Sequence, residues 1–376
     1  MTKALRAGPI VVNVALAGRA YDIVIGRGSL SSLGTRIAAL RAGAAALIVT
    51  DENIARLHLT AAHGVLRAAN VRSSEIVIAP GEQSKSWRVF ETVCEGLLAA
   101  RLERGDLVIA LGGGVVGDLA GFAAAVARRG LDYVQVPTSL LGQVDSSVGG
   151  KTAINSSHGK NLIGAFHQPI LVIADTALLD TLPPREFRSG YAEVVKYGLL
   201  GDASFFFWLD ANWHEMFAGG EAREHAISMC CRHKAAIVAR DERENGERAL
   251  LNFGHTFGHA FEAACGFSDR LLHGEAIGLG MALAVQFSAR RGLLPMADAD
   301  RVIAHLAAVG LPTQIKEIPG GAPKLDTIMN LIGQDKKVQR GKLTFILARG
   351  IGAAFVARDV DAAEVESFLA EKISKR

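Results

Sequence analysis

Short apolar runs that alternate with helical patterns mark the first half of the chain. Runs at 10–16 and 21–25, with Gly18 in the turn between them, predict a hairpin at the edge of a sheet. Further strands are predicted at 46–50, 76–79, 107–111, 133–136 and 170–174, and helices at 29–40, 54–69 and 84–100. We expect Ser29 to cap the first of these helices. The alternation predicts a mostly parallel sheet with helices on both faces, where ligands gather at the carboxyl ends of the strands.

The segment 137–168 is long and polar for a connection inside such a domain. It contains GGK at 149–151 and GKN at 159–161. A loop of this length is usually functional or disordered. The apolar residues spaced through the segment favour an ordered, functional loop.

From Arg185 onward the apolar period becomes helical and largely stays so. Helices are predicted at 187–200, 221–240, 250–264, 275–291 and 298–309, then a short strand at 342–347 and a closing helix at 360–375. We therefore place a domain boundary near Leu178, with an α/β domain over 1–178 and a helical domain over 179–376.

A glycine-rich turn follows one of the buried strands. Gly112, Gly113 and Gly114 let the backbone turn with no Cβ in the way, and a helix opens at Val115. Bare amides at a helix N-terminus attract anions, and a pyrophosphate suits them. The turn spells G-x-G-x-x-G through Gly117, but the usual fingerprint lies on the first strand of its domain with an acid about 20 residues on. The pattern alone leaves nucleotide binding and a tight turn without a ligand equally open.

The net charge bears on the class of partner, and the cysteine content bears on the cellular compartment. The 376-residue chain has 41 Lys and Arg against 38 Asp and Glu, and a net charge of +3 argues against nucleic acid. Four cysteines without a C-x-x-C pair favour a reduced, cytoplasmic compartment over a disulfide scaffold. The N-terminal residues lack the apolar core of a signal peptide, and the apolar stretch 276–289 is too short to cross a bilayer. We expect a small-molecule partner and no membrane.

Three histidines are spaced for a metal site. His255 and His259 lie four residues apart on one predicted helix face, and His273 starts the next helix. With one carboxylate from elsewhere, such histidines suit zinc, and Glu193 is the candidate because it lies among apolar residues of a predicted helix. Each histidine taken singly is more often a core or surface residue. The spacing leaves open which three of the four residues bind.

Basic residues recur in loops or beside polar motifs. They are Arg129, Lys151, Lys160, Lys196, Lys234, Arg248 and Lys337, and the polar residues that accompany them are Asp145, Asn161, Glu244 and Asn252. Each one alone is more often a solvated surface charge. If they converge, they form a site for a substrate with more than one negative charge, where Arg supplies bidentate contacts and Lys a point charge.

Six motifs, taken together and in order, resemble the 3-dehydroquinate synthase family. They are GGGVVGD at 112–118, QVDSSVGGKTAIN at 143–155, GKNLIGAFHQP at 159–169, AEVVKYG at 192–198, NFGHTFGHAFE at 252–262 and HGEA at 273–276. The resemblance implies an α/β N-terminal nucleotide-binding domain with a mostly parallel sheet and an all-α C-terminal metal-binding domain. It also implies bound NAD, one divalent metal, usually zinc with cobalt as an alternative, and a homodimer.

The family implies an NAD- and metal-dependent carbon–oxygen lyase of the shikimate pathway. Its substrate is 3-deoxy-D-arabino-heptulosonate 7-phosphate, and its products are 3-dehydroquinate and phosphate. The chemistry passes through transient oxidation by NAD, phosphate elimination, re-reduction and an intramolecular aldol closure.

The motifs also carry residue roles onto this sequence. Glu193, His255 and His273 resemble the metal ligands, and His259 would then face the substrate. The positions that resemble NAD contacts are Asp51, Glu82, Lys85, Gly113, Gly114, Val115, Asp118, Thr138, Ser139, Lys151, Lys160, Leu178 and Thr181. The positions that resemble the substrate cluster are Arg129, Asp145, Lys151, Lys160, Asn161, Lys196, Lys234, Glu244, Arg248, Asn252, His259 and Lys337.

Two departures from the family pattern and three rival functions accompany this interpretation. The family commonly has two threonines at 138–139, where Ser139 keeps the hydroxyl, and commonly has Met where Tyr191 stands. The rivals are another sugar-phosphate cyclase, a metal-dependent NAD polyol dehydrogenase and an NAD-sensing module without catalysis. Lys234, Arg248 and Asn252 favour a substrate carboxylate, and a dehydrogenase has little use for so many cations.

Overall fold

The computed structural model describes residues 8–334 and 342–374, and they pack into two compact units. The first unit comprises Met1–Pro183 and Glu215–Arg243, and the second comprises Pro184–His214 and Glu244–Arg376. The chain therefore passes from one unit to the other three times. The predicted boundary near Leu178 lies shortly before the first passage. The return of 215–243 to the first unit was not predicted, because a helical period does not say which core a helix joins.

The first unit is built on a seven-stranded sheet with the order β1-β2-β9-β6-β5-β3-β4. Its strands are β1 (Ile10–Val14), β2 (Tyr21–Gly26), β3 (Ala46–Asp51), β4 (Ser73–Ile78), β5 (Leu107–Gly112), β6 (Asp132–Pro137) and β9 (Leu171–Asp175). The β1–β2 pair is antiparallel, and every other pair in this sheet is parallel. The predicted edge hairpin and mostly parallel sheet are confirmed.

Burial explains why the central strands read as continuous apolar runs. Every residue of β5 and β9 is buried, whereas β1 alternates buried and exposed positions. One apolar cluster, which includes Ile48 and Ile109, covers one side of the sheet, and a second, which includes Val49 and Val108, covers the other. A sheet covered on both faces is the arrangement that parallel strands require.

The helices of the first unit lie where the pattern predicts them, but some begin later or are less regular than predicted. They are α1 (Leu33–Leu40), α2 (Glu52–Ile54), α3 (Thr60–Ala68), α4 (Trp87–Ala99), α5 (Gly114–Val126) and α8 (Gly220–Arg240). Ser29 does not cap α1, because a 3-10 turn over Ser29–Ser32 comes first. A π-helical turn over Ala55–Leu59 joins α2 to α3.

The segment 137–168 is ordered, as predicted, but it is not a loop throughout. It holds a π-helical turn at Gly142–Ser146 and an antiparallel hairpin of β7 (Lys151–Ser156) and β8 (Gly159–Phe166). The prediction missed the hairpin because both strands are rich in Gly, Ser, Asn and Lys, which are not typical of strands. The closeness of the strands requires glycine at 164, where an added Cβ would lie 2.0 Å from the Thr152 carbonyl oxygen.

The second unit is mostly helical. Its helices are α6 (Pro184–Gly201), α9 (His255–Ala264), α10 (His273–Arg290), α11 (Met296–Val309), α12 (Leu325–Gln334) and α13 (Ala362–Ser374), and α7 (Ala203–Ala218) runs from the second unit into the first. The pattern missed α7 and α12. It also missed strand β11 (Ala354–Asp361), which pairs antiparallel with β10 (Lys342–Ala348) and adds a small ribbon to the expected helices. Among the described residues, no helix is long and apolar enough to span a membrane.

Candidate functional site

The sheet of the first unit has a topological switch point between β3 and β5. Strand β3 pairs with β4 on one side and with β5 on the other. Along the chain, β4 is added on one side of β3, and the strands from β5 onward are added on its other side. Asp51 ends β3, and Gly112 ends β5. Ligands of open α/β sheets bind outside the carboxyl ends of the strands at such a point. Two of the predicted cofactor elements therefore lie at the expected place.

The glycine turn combines tight packing with an accessible helix start. A Cβ added at Gly112 would lie 2.6 Å from Val116, and one at Gly117 would lie 2.9 Å from the Gln135 amide oxygen. Both glycines are therefore needed for packing. Gly113 occupies the N-cap of α5, and Gly114 is its half-buried first residue. The first amides of α5 form a site suited to an anion, which gives the turn a use beyond packing.

A buried lysine connects this turn to the β7–β8 hairpin. The Lys85 ammonium donates to Oδ2 of Asp118 at 2.6 Å and also to the side-chain oxygen of Asn161. Burial raises the pKa of the Asp118 carboxyl, and the charge of Lys85 opposes that rise. Glu82 accepts from the Asn155 amide at 2.7 Å and lies 3.8 Å from the Lys160 ammonium. Five residues predicted to contact NAD or substrate thus belong to one polar network: Glu82, Lys85, Asp118, Lys160 and Asn161.

A second buried lysine lies on α8. Lys234 donates to the Asp145 carbonyl oxygen at 2.6 Å and to its carboxylate at 2.7 Å, which joins α8 to the π-helical turn. Both residues belong to the predicted substrate cluster. The neighbouring Cys231 is not reactive, because burial raises the pKa of its thiol to about 12.

The remaining predicted residues of the first unit have varied surroundings. Asp51 caps α2 by accepting from the Asn53 and Ile54 amides. Thr138 donates its amide to the Gly112 carbonyl, and the Ser139 hydroxyl accepts from the Gly142 amide. Leu178 packs in the apolar core, and the Thr181 hydroxyl contacts His58 at 3.0 Å. Val115 is half-buried, and Arg129 and Lys151 are exposed.

In the second unit, Glu193 and two histidines form a compact ligand set. Oε1 of Glu193 lies 3.5 Å from Nε2 of His255 and 3.4 Å from Nε2 of His273. Glu193 is completely buried on α6, while the histidines come from the first residues of α9 and α10. A buried carboxylate that faces two imidazole nitrogens is a donor set that zinc and similar divalent ions prefer.

The other ring nitrogens hold these imidazoles in one orientation. Nδ1 of His255 donates to the Phe253 carbonyl oxygen at 3.2 Å, and Nδ1 of His273 donates to Oε2 of Glu262 at 3.0 Å. Burial lowers the pKa of His255 well below its usual value. Burial also lowers the pKa of His273, but Glu193 and Glu262 outweigh it and raise that pKa to about 10. The two carboxylates thus favour a positive charge at this place.

A second donor set shares one histidine with the first. His259, Glu262 and His273 also bring ligand atoms within 4.8 Å of one another. His259 is exposed, whereas Glu193 and His255 are buried. The four candidates of the sequence interpretation therefore lie together, and Glu262 is a fifth that it missed. The signal was present, since Glu262 follows His259 by three residues and so shares its helix face.

The other predicted residues of the second unit have varied surroundings, and one of them lies outside the described residues. Lys196 is buried, with Nζ 2.5 Å from Oε2 of Glu193. Asn252 donates to the Glu244 carboxylate at 2.9 Å, and Arg248 is buried. Lys337 lies outside the described residues.

Tyr191, the departure from the family pattern, belongs to a buried polar chain. Its hydroxyl lies 3.2 Å from Nε2 of His305, whose Nδ1 lies 3.2 Å from Asp210. Asp210 also pairs with Arg301 at 3.0 Å. Tyr191 is two residues from Glu193 and therefore points to a different side of α6. The tyrosine thus anchors the helix without entering the ligand set.

Comparisons with known proteins agree over nearly the whole chain. The sequence models described as 3-dehydroquinate synthase N-terminal and C-terminal match residues 75–189 and 190–338. A 3-dehydroquinate synthase of Bradyrhizobium sp. (strain BTAi1) is 63% identical over 98% of this chain and 97% of its own length.

Two solved structures share the fold and were determined with cofactors. A 2-deoxy-scyllo-inosose synthase with carbaglucose-6-phosphate, NAD+ and Co2+ has a TM-score of 0.87 at 25% identity, covering 96% of this chain and 100% of that one. The 2-epi-5-epi-valiolone synthase of Streptomyces hygroscopicus, with NAD+ and Zn2+, has a TM-score of 0.85 at 29% identity, covering 95% and 97%.

Proposed function

The chain belongs to the 3-dehydroquinate synthase family, and we propose that Glu193, His255 and His273 are its metal ligands. It converts 3-deoxy-D-arabino-heptulosonate 7-phosphate into 3-dehydroquinate and phosphate in the shikimate pathway, which leads to the aromatic amino acids. NAD and one divalent metal ion are its cofactors. The single observation that carries the residue assignment is the convergence of Glu193 and the Nε2 atoms of the two histidines.

We call Glu193, His255 and His273 the inner set and His259, Glu262 and His273 the outer set. Burial favours the inner set as the metal site. Glu193 is completely buried, and the Nδ1 atoms of both histidines are already engaged with acceptors. In the neutral form that binds a metal, the lone pair of each ring would therefore lie on Nε2, on the side of Glu193. A bound ion would act there as a Lewis acid on a substrate oxygen. His259, exposed beside this set, is left to face the substrate.

The first unit is proposed to hold NAD at the switch point. The amides of the glycine turn suit the pyrophosphate, and Asp51 lies at the carboxyl end of the neighbouring strand. NAD bound there would supply reversible hydride transfer. The residues proposed to contact it are Asp51, Glu82, Lys85, Gly113, Gly114, Val115, Asp118, Thr138, Ser139, Lys151, Lys160, Leu178 and Thr181.

The residues of the predicted substrate cluster are proposed to bind the carboxylate and phosphate of the substrate. Lys234 and Lys196 are buried and already held by carboxylates, so their positions are fixed before substrate arrives. Such preorganised charge stabilises developing negative charge without further rearrangement. The residues assigned to this role are Arg129, Asp145, Lys151, Lys160, Asn161, Lys196, Lys234, Glu244, Arg248, Asn252, His259 and Lys337.

Assembly and location follow the family expectation. We propose a homodimer in the cytoplasm. The four cysteines support a reducing compartment, since none is in a disulfide and three of them are buried. Light scattering of the purified protein gives the mass that tests the dimer, and a fluorescent fusion tests the location.

The function itself is tested by supplying NAD in substoichiometric amount. The purified zinc-loaded protein should release phosphate from the heptulosonate phosphate over many turnovers and form dehydroquinate without a steady rise in NADH absorbance. NADH accumulating with product would instead support a dehydrogenase. No phosphate release from this substrate, with release from another sugar phosphate, would support a different cyclase.

A further inference from the structure

Glu262 contacts His273, a proposed metal ligand, at the ring nitrogen that does not face Glu193. Its Oε2 accepts from Nδ1 of His273 at 3.0 Å, while Nε2 of the same ring lies 3.4 Å from Glu193. Glu262 is 4% exposed, within the helix α9 that begins with His255. A carboxylate so deeply buried carries a desolvation cost unless it has a partner, and His273 is that partner.

The contact of Glu262 with His273 also bears on the net charge around the ligand set. The Lys196 ammonium lies 2.5 Å from Oε2 of Glu193, and both side chains are almost completely buried. The pair is neutral as a whole, so by itself it attracts a divalent cation only weakly. In a buried environment the charge of the lysine is poorly screened and opposes the ion. Glu262 places a further carboxylate next to the ligands, and its charge opposes that of the lysine.

We propose that Glu262 is a positioning residue for the metal, which holds His273 with Nδ1 protonated and Nε2 toward the ion and offsets the charge of Lys196. The proposal rests on the ligand set of the proposed function. Outer carboxylates of this kind fix the tautomer of a ligating histidine and raise its basicity. His255 has the corresponding contact from the Phe253 carbonyl, which belongs to the backbone and carries no full charge.

The competing role for Glu262 is that of a direct ligand in the outer set with His259 and His273. The two roles differ in their dependence on His259. If Glu262 only positions His273, removing His259 leaves the affinity for zinc unchanged. If Glu262 is a ligand of the outer set, removing His259 weakens zinc binding as strongly as removing Glu262.

The experiment measures the Kd for Zn2+ by competition with a chromophoric chelator. The variants are Glu262→Gln, Glu262→Asp, His259→Ala and His255→Ala. Asp210→Asn is the matched control, because Asp210 also lies against Nδ1 of a histidine, at 3.2 Å from His305. Thermal unfolding of each metal-free variant checks that it is folded, and the absorption spectrum of the Co2+ form reports the ligand set.

We expect Glu262→Gln to weaken Zn2+ binding about 10- to 100-fold. Its Co2+ spectrum should keep the wild-type bands, since all three ligands remain. Glu262→Asp keeps the charge and should recover part of the affinity, and Asp210→Asn and His259→Ala should bind as the wild type does. Wild-type affinity in a folded Glu262→Gln, with zinc lost in His255→Ala, overturns the role of Glu262 alone. Full zinc affinity in His255→Ala overturns the proposed ligand set instead.

Discussion

Lys196 and Glu193, three residues apart on α6, form an ion pair of 2.5 Å with almost no exposure to solvent. The lysine occupies Oε2 of the carboxylate and leaves Oε1 toward His255 and His273. The spacing of one helical turn is what allows both side chains to meet. The pair therefore joins a proposed metal ligand to a proposed catalytic cation on a single rigid element.

Substitution of the lysine should separate metal binding from catalysis. In Lys196→Met the positive charge beside the ligand set is lost, so Zn2+ should bind at least as tightly as in the wild type. The kcat should fall by about 10²- to 10⁴-fold, because the proposed catalytic cation is absent. Zinc titration and steady-state kinetics check this. Weaker zinc binding with an unchanged kcat would contradict it.

The glycine turn gives a test of NAD binding that leaves the fold unchanged. Gly114 has no positive φ, and its added Cβ would meet the Ser146 hydroxyl at 3.1 Å, so Gly114→Ala should fold. The methyl group would nevertheless stand at the first turn of α5, and we expect NAD affinity to fall about 10-fold, or about 1.4 kcal/mol.

The matched control is Gly64→Ala in α3, where nothing lies within 4 Å of the added Cβ. It should leave NAD binding unchanged and stabilise the protein by about 0.5–1 kcal/mol. Calorimetric titration and thermal unfolding measure both effects. Equal NAD affinity in Gly114→Ala and the wild type would contradict the proposal that the glycine turn binds NAD.

The buried Lys85–Asp118 pair should matter for stability as well as for NAD. Asp118→Asn removes the closest carboxylate from the Lys85 ammonium, which is only 3% exposed, and leaves Glu82 at 3.9 Å. Loss of one partner of a buried pair costs about 3–5 kcal/mol. Urea unfolding should show this loss, with the affinity for zinc unchanged. A change below 1 kcal/mol would mean that water reaches the lysine, and the network would not be a rigid part of the site.

Tyr191 should contribute to stability but not to metal affinity. Tyr191→Phe removes the contact of 3.2 Å with Nε2 of His305, and both residues are buried. The free energy of unfolding should fall by about 1–3 kcal/mol. The Kd for Zn2+ should stay within about twofold of the wild type, because the tyrosine points to another side of α6. A large loss of zinc affinity would show that the tyrosine positions Glu193.

His167 should make part of the stability pH-dependent. Burial lowers its pKa from 6.5, and its Nε2 donates to the Leu131 carbonyl oxygen at 2.8 Å. The unfolded chain therefore binds a proton before the folded one does, and stability falls as the pH drops below 6.5 toward the pKa of the folded state. The slope for one such group is at most about 1.4 kcal/mol per pH unit. Denaturant unfolding of His167→Gln should show a smaller slope, and an identical slope would contradict the assignment.

The sequence predicts best those features whose residues determine the local backbone structure and also serve the function. The glycine turn, the i and i+4 histidines and the buried strands were all predicted, because each pattern follows from backbone geometry or burial. The β7–β8 hairpin was missed, because half of the residues in its strands are Gly, Ser, Asn or Lys, which are not typical of strands. Ser29 was wrongly expected to cap an α-helix. A serine begins 3-10 turns as well as α-helices, so the sequence does not distinguish the two.

The choice of the proposed metal ligands, and the contact of Glu262 with one of them, depend on the structure. Spacing along the chain nominated three histidines, and an apolar helix nominated Glu193, but the choice among the four depends on which ring nitrogen faces which carboxylate. Glu262 was missed although it shares a helix face with His259, because its contact with His273 joins two helices and is not visible in the sequence. The assignment of α8 to the first unit likewise depends on contacts distant in sequence, such as that of Lys234 with Asp145.

The zinc content of two purified variants tests the ligand set most directly. His255→Ala and His259→Ala each remove one imidazole from α9, one from the buried set and one from its exposed neighbour. Elemental analysis after dialysis should find His255→Ala without zinc and His259→Ala with the same zinc per chain as the wild type. Zinc retained in His255→Ala and lost from His259→Ala would contradict the account and place the ion on the outer set.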